Sequence, residues 1–319
     1  MKKIFGLGFA AVLLTLGLAG CGRPSLSVNH HQLQPDGLGA VIKGQSRHQT
    51  IDYRIDNGKK RTEKTHNGSF ALTIPSKATN QKVVLSADDT HQTVKIEKAD
   101  PLITYSSLQS TYNQAITATA LSKADQKKAM VLQKQGAKLK QQQQAIEKAV
   151  AAAKKKLASG DASAAGDLKT QAAKGNALKA QAANLQATGT EVTQAMKKAK
   201  NRVKDQLLPT QSPNGIHNLI ETKDVTIRTN TDQNQVVGIA LMVPVSAMKN
   251  KTDAKKFAIS FSVLANSTGA DAKKLMKDFK KQTKSSKTSK TTNKALRSDG
   301  VDFRIGYSTT TLYIYITKQ

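Results

Sequence analysis

The chain is poor in several residues whose scarcity is informative. Of its 319 residues one is cysteine and none is tryptophan. A lone cysteine excludes an internal disulfide framework and any paired-cysteine zinc motif. Aromatic residues make up 4%, so stacking platforms for single-stranded nucleic acid are scarce. Acidic residues number 22 against 50 Lys and Arg, which leaves a net charge of +28. Proline is absent between Pro101 and Pro209, so nothing in that interval forbids a long helix. Beyond residue 20 no apolar run reaches the length of a bilayer span.

Catalytic groups are thin as well. The six histidines, His30, His31, His48, His66, His91 and His217, never fall at helical i, i+4 spacing, and no H-E-x-x-H or Gly-rich phosphate loop occurs. Asp52, Asp56 and Gly58 lack the downstream glutamate of a calcium loop. Ser246-Ala247-Met248-Lys249 fits S-x-x-K, and Ser298-Asp299-Gly300 is close to the second motif of penicillin-recognising enzymes, but K-T-G is missing. The expectation is a protein without catalytic residues, metal or cofactor.

What is present begins with the leader. Lys2 and Lys3 precede an uncharged segment from Ile4 to Gly20, and the small residues Ala19 and Gly20 stand directly before Cys21. Charged start, apolar middle and small-residue end are the layout of a secretory signal peptide, here residues 1–20. Leu18-Ala19-Gly20-Cys21 resembles the lipobox of bacterial lipoproteins. The resemblance implies cleavage between Gly20 and Cys21 and a diacylglycerol thioether on Cys21, carrying acyl chains such as palmitate. Two such chains, at about 0.8 kcal/mol per buried methylene, hold a protein on a membrane stably. It therefore implies a lipid-anchored protein on the extracytoplasmic face of the cell membrane, with membrane lipid as a partner through Cys21.

Three modules are expected to follow, making a multidomain α+β chain. Residues 21–104 show short alternating segments broken by turn residues, including Asn57-Gly58 and Asn67-Gly68, and read as a small antiparallel β-sandwich. The stretch from Asn67 to Lys98 resembles the second half of bacterial Ig-like domains, which implies a spacer or binding module. Residues 105–208 are rich in Ala, Lys, Gln and Leu. Leu168, Gly175, Ala182, Gly189 and Met196 recur every seven positions, as do Leu178, Leu185 and Val192, and in the first half Leu132, Leu139 and Ile146. Folding back at the polar break 159–167 aligns the two seams, which predicts an antiparallel helical hairpin in coiled-coil register. Residues 209–319 predict an α+β sheet-plus-helix domain in the order β-β-β-α-β-β, with "FAISFSVLA" (257–265) as its third strand. One helix is expected to start at a capping box, Thr268-x-x-Asp271, and to present Ala272, Leu275, Met276 and Phe279 on one face. A basic low-complexity loop, 280–294, follows.

Charge is uneven: +4 over residues 22–105, +12 over 106–208 and +10 over 209–319. Such a surface attracts polyanions. The candidate polyanion-binding residues are Lys273, Lys274, Lys277, Lys280, Lys281, Lys284, Lys287 and Lys290. Outside a cell membrane the available partners are anionic wall polymers, lipid headgroups or an envelope protein, and nucleic acid is disfavoured by the missing aromatics. The expected function is non-enzymatic binding or scaffolding at the cell envelope. The alternatives are a cell-wall-modifying enzyme using Ser246 and Lys249, or a nucleic-acid binder.

Overall fold

The computed structural model describes residues 24–285 and 295–319. The chain is a mixed α+β protein with several largely antiparallel sheets and, among the described residues, six α-helices. It divides into two compact units. Of the described residues, one holds 24–34 together with Val41–Ile74 and Asn80–Glu97; the other holds Pro35–Ala40, Pro75–Thr79 and those described from Lys98 to Gln319.

The first unit is built from β1 (Ser27–Val28), β2 (Gln32–Leu33), β3 (Gly39–Gln45), β4 (Thr50–Ile55), β5 (Arg61–Lys64), β6 (Ser69–Pro75), β7 (Gln81–Ala87) and β8 (Thr90–Ile96). They form a sheet of order β1-β3-β6 and a second of order β2-β8-β7-β4-β5, in which only β2 and β8 run parallel. Alternation decides what is buried: Phe70, Leu72 and Ile74 on β6, and Val83 and Leu85 on β7, point inward while their neighbours face water. Asn67 and Gly68 both adopt positive φ, and His66 and Ser69 exchange backbone hydrogen bonds around them, as the Asn-Gly signal requires. The other Asn-Gly pair behaves differently. Between β4 and β5 the left-handed residue is Asp56, while Gly58 simply donates its N–H to the carbonyl of Ile55. Gly44 is needed for another reason: a Cβ there would lie 2.1 Å from the Ser27 carbonyl oxygen and 2.4 Å from the Phe70 ring.

The second unit contains β9 (Ile103–Thr104), α1 (Tyr105–Thr119), α2 (Lys123–Ala158), α3 (Ala164–Arg202), a 3-10 turn at Lys204–Gln206, then β10 (Gly215–Glu221), β11 (Thr226–Asp232) and β12 (Gln235–Pro244). Three helices follow, α4 (Val245–Lys249), α5 (Lys251–Ser267) and α6 (Ala272–Ser285), and then β13 (Leu296–Ser298), β14 (Val301–Tyr307) and β15 (Thr311–Lys318). The strands form one antiparallel sheet of order β10-β11-β12-β15-β14-β13, with β9 pairing the start of β12. Its core joins Ile227, Ile239, Leu241, Phe303, Ile314 and Ile316 of the sheet to Leu108 and Tyr112 of α1, Phe257 and Phe261 of α5, and Leu275 and Phe279 of α6.

The segment 257–265 is a helix and not the expected third strand. Its apolar residues fit both periods, because Phe257, Ile259, Phe261 and Val263 alternate while Phe257, Phe261, Leu264 and Ala265 share a helical face. The ends settle it. The Asn250 side chain accepts from the N–H groups of Thr252 and Asp253, and Gly269 adopts φ +85° just beyond the C-terminus. Thr268 likewise does not open the next helix. It closes α5, its hydroxyl donating to the carbonyls of Leu264 and Ala265, and Asp271 caps α6 instead.

The two long helices α2 and α3 run antiparallel. Lys128 pairs with Glu191 at 2.6 Å at one end, and Lys156 approaches Asp167 at 4.0 Å beside the connection. Their mutual seam is narrow, with Ala153, Ala164 and Ala199 the fully buried residues along them. At the base the chain is clasped. Arg202 donates to the carbonyl of Ala120 at 2.7 Å, and the Asn113 side chain bonds both the N–H and the C=O of Leu208.

Candidate functional site

Helix α6 is strongly two-faced. Ala272, Leu275 and Phe279, spaced three and four apart, are buried against α5 and the sheet. Lys273, Lys277 and Lys280, spaced four and three apart, share another face. They line a shallow groove of about 600 Å³ between α5 and α6, together with Ser262 and Asn266 of α5 and with Asp271, Ala272 and Met276. Asp271 is the one carboxylate among these residues, and it is engaged locally: its Oδ1 accepts from the N–H groups of Lys273 and Lys274 at 2.9 and 3.0 Å. Ser298 holds that cap in place by accepting from the Asp271 N–H at 2.9 Å. The groove therefore gathers three lysine side chains over an apolar floor, and Asp271 is the acidic residue among those that line it.

Five of the eight candidate lysines sit on this helix with described side chains. Lys273, Lys277 and Lys280 line the groove. Lys274 is turned aside, bonded to the carbonyl of Arg297 at 2.8 Å and paired with Asp278 at 3.5 Å. Lys281 follows it two turns later on the helix and is not among the groove residues. The Lys284 side chain, Lys287 and Lys290 lie outside the described residues, as do Gly20 and Cys21.

Ser246 and Lys249 occupy the five-residue helix α4, both exposed. Ser298-Asp299-Gly300 is the tight turn between β13 and β14, with Asp299 and Gly300 at positive φ and Ser298 committed to the α6 cap. In the first unit His48 meets both Ser25, at 3.3 Å, and Asp88, at 3.2 Å. Both contacts fall on Nε2, so the imidazole cannot pass a proton from serine on one nitrogen while carboxylate steadies the other, as a catalytic triad requires. Among the described residues no group of three His, Cys, Asp or Glu could hold a metal ion.

A second concavity, about 300 Å³, was not legible in the sequence because distant segments build it. Tyr112 of α1, Asp205, Glu221, Asp224, Lys256 and Ser260 line it. Lys256 bonds Asp224 at 2.5 Å, which holds its ammonium above the ordinary lysine range. Burial raises the Tyr112 hydroxyl far above the usual tyrosine range, partly offset by a hydrogen bond with Ser260.

No protein-family model matches the chain, and no curated protein matches it in sequence.

Proposed function

We propose that the chain is a lipid-anchored protein of the extracytoplasmic membrane face that binds envelope polyanions without catalysing a reaction. In this reading Cys21 carries the diacylglycerol anchor, and the first unit is an Ig-like β-sandwich standing next to it. Helices α2 and α3 form an antiparallel coiled-coil hairpin, and the C-terminal domain carries the binding face. The lipobox supports the anchor, and among the described residues no helix is long and apolar enough to cross a membrane. The observation that carries the binding role is the row of Lys273, Lys277 and Lys280 along the α5–α6 groove. A row of like charges held together on a rigid helix raises the local concentration of polyanions and makes their attachment sensitive to salt.

Two measurements test this. Intact mass of the protein from membranes should show Cys21 at the N-terminus with a diacylglycerol added, and Cys21→Ser should release the chain from the membrane fraction. A bare sulfur on an uncleaved leader would refute the anchor. Retention of the full chain on an anionic polymer column should fall steeply as salt rises from low to moderate concentration. Salt-independent behaviour would refute the binding role.

A further inference from the structure

We infer that the α5–α6 groove takes a polyol-phosphate polymer lying along α6, an inference that rests on the polyanion reading above and narrows it to one ligand class. Lys273, Lys277 and Lys280 are four and three residues apart, so they advance by about 6 Å and then about 4.5 Å along the helix axis. A chain whose charges recur at short regular intervals can meet all three at once. Between the lysines the floor is Ala272 and Met276, with the hydroxyl of Ser262 and the amide of Asn266 on the α5 side. Methylene segments suit that floor, and free polyol hydroxyls suit the two polar side chains.

The residue types narrow the class further. The groove has no arginine, whose planar fork would clamp a single anionic group through two bonds; its lysines act as point charges that can each meet one oxygen of successive singly charged phosphodiesters. Nor does any aromatic ring line it, so nucleic-acid bases would find nothing to stack on. A membrane surface fits less well, because a helix that lies on lipid turns its bulky apolar residues outward. Those of α6 point the other way: Leu275 is 0% and Phe279 4% exposed.

The test uses the full chain and poly(glycerol phosphate) as the probe, titrated at several salt concentrations. Lys273→Gln/Lys277→Gln/Lys280→Gln is compared with Lys138→Gln/Lys140→Gln/Lys148→Gln, which removes the same charge from exposed positions on α2. Equal melting temperatures establish that both fold. The groove variant should bind about tenfold or more weakly, since three exposed ion pairs contribute roughly two- to threefold each, and the control no more than about threefold. The log–log salt slope should shrink by about 2 in the groove variant alone, at about 0.7 per phosphate contacted. Equal losses in the two variants would overturn the site. Polyglutamate of matched charge bound as tightly as the phosphate polymer would overturn the phosphate class while leaving general polyanion binding intact. Anionic vesicles or single-stranded DNA that depend more strongly on these lysines than the polymer does would overturn the ligand in favour of those partners. Binding to none of them would remove both readings.

Discussion

Phe261→Ala would remove the centre of an aromatic cluster. Its ring is 0% exposed and lies 5.9 Å from Phe257, 6.0 Å from Phe279 and 5.7 Å from Phe303, the last edge-on. Three elements, α5, α6 and β14, therefore meet at this one side chain. Truncating a buried Phe to Ala costs about 3–5 kcal/mol from lost transfer energy and the cavity left behind. Aromatic pairs add about 0.5–1.5 kcal/mol each beyond area, and three are lost, so the upper end, about 5 kcal/mol, is expected. In a unit of about 230 residues that corresponds to a fall of roughly 10–20 °C in melting temperature. Phe257 is the internal comparison. It is 2% exposed but makes two ring contacts, so Phe257→Ala should cost less, about 3–4 kcal/mol. Differential scanning calorimetry on the full chain reads both variants. If Phe257→Ala proves as damaging as Phe261→Ala or more so, the cluster is not centred where the geometry puts it.

Glycine substitutions should give opposite signs at two positions. Gly44→Ala forces a Cβ against the Ser27 carbonyl and should destabilise the first unit by about 1–3 kcal/mol in urea unfolding. Gly175→Ala meets nothing within 4 Å and should stabilise α3 by up to about 1 kcal/mol. Asp271→Ala removes the acceptor for two N–H groups and should cost about 0.5–2 kcal/mol, with faster amide exchange in the first turn of α6; Asp271→Ser should restore most of it. Burial pushes Tyr105 up to about 12 and Tyr112 higher still, so the unfolded chain loses these protons at lower pH than the folded one. Their contribution is complete below about pH 10 and is lost as pH rises toward 12, so thermal stability should decline across that window. Phenolate absorbance showing all six tyrosines ionising near pH 10 in the folded protein would contradict it.

Regular features were legible in the sequence because one physical period dominated each of them. Seven-residue spacing is explicit from Leu132 to Ile146 and from Leu168 to Met196, and α2 and α3 form there. The alternation of Val301, Phe303 and Ile305 is equally unambiguous and becomes β14. The segment 257–265 misled because its apolar residues satisfy two periods at once, and the deciding groups, Asn250 and Gly269, lie outside it. Strand β10 went unread since Gly215–Glu221 carries little alternation, with His217, Asn218 and Glu221 all exposed. At the candidate site the lysines were legible as a basic tract, but which of them share the groove was not: Lys273, Lys277 and Lys280 line it, while Lys274 turns to the Arg297 carbonyl. The opposite wall, Ser262 and Asn266, was not legible either, because a polar residue on α5 reveals its neighbour only after the helices pack.

The clasp between Ala120 and Arg202 has a consequence for how this chain can vary. Between those residues the polypeptide travels out along one helix and returns along the other to nearly the point it left, so the folded base registers the excursion as a short local detour. Trimming or adding matched blocks of seven on both helices would lengthen or shorten the arm while the base kept its hydrogen bonds. Reach is thus an adjustable dimension of this protein, separable from whatever its base holds.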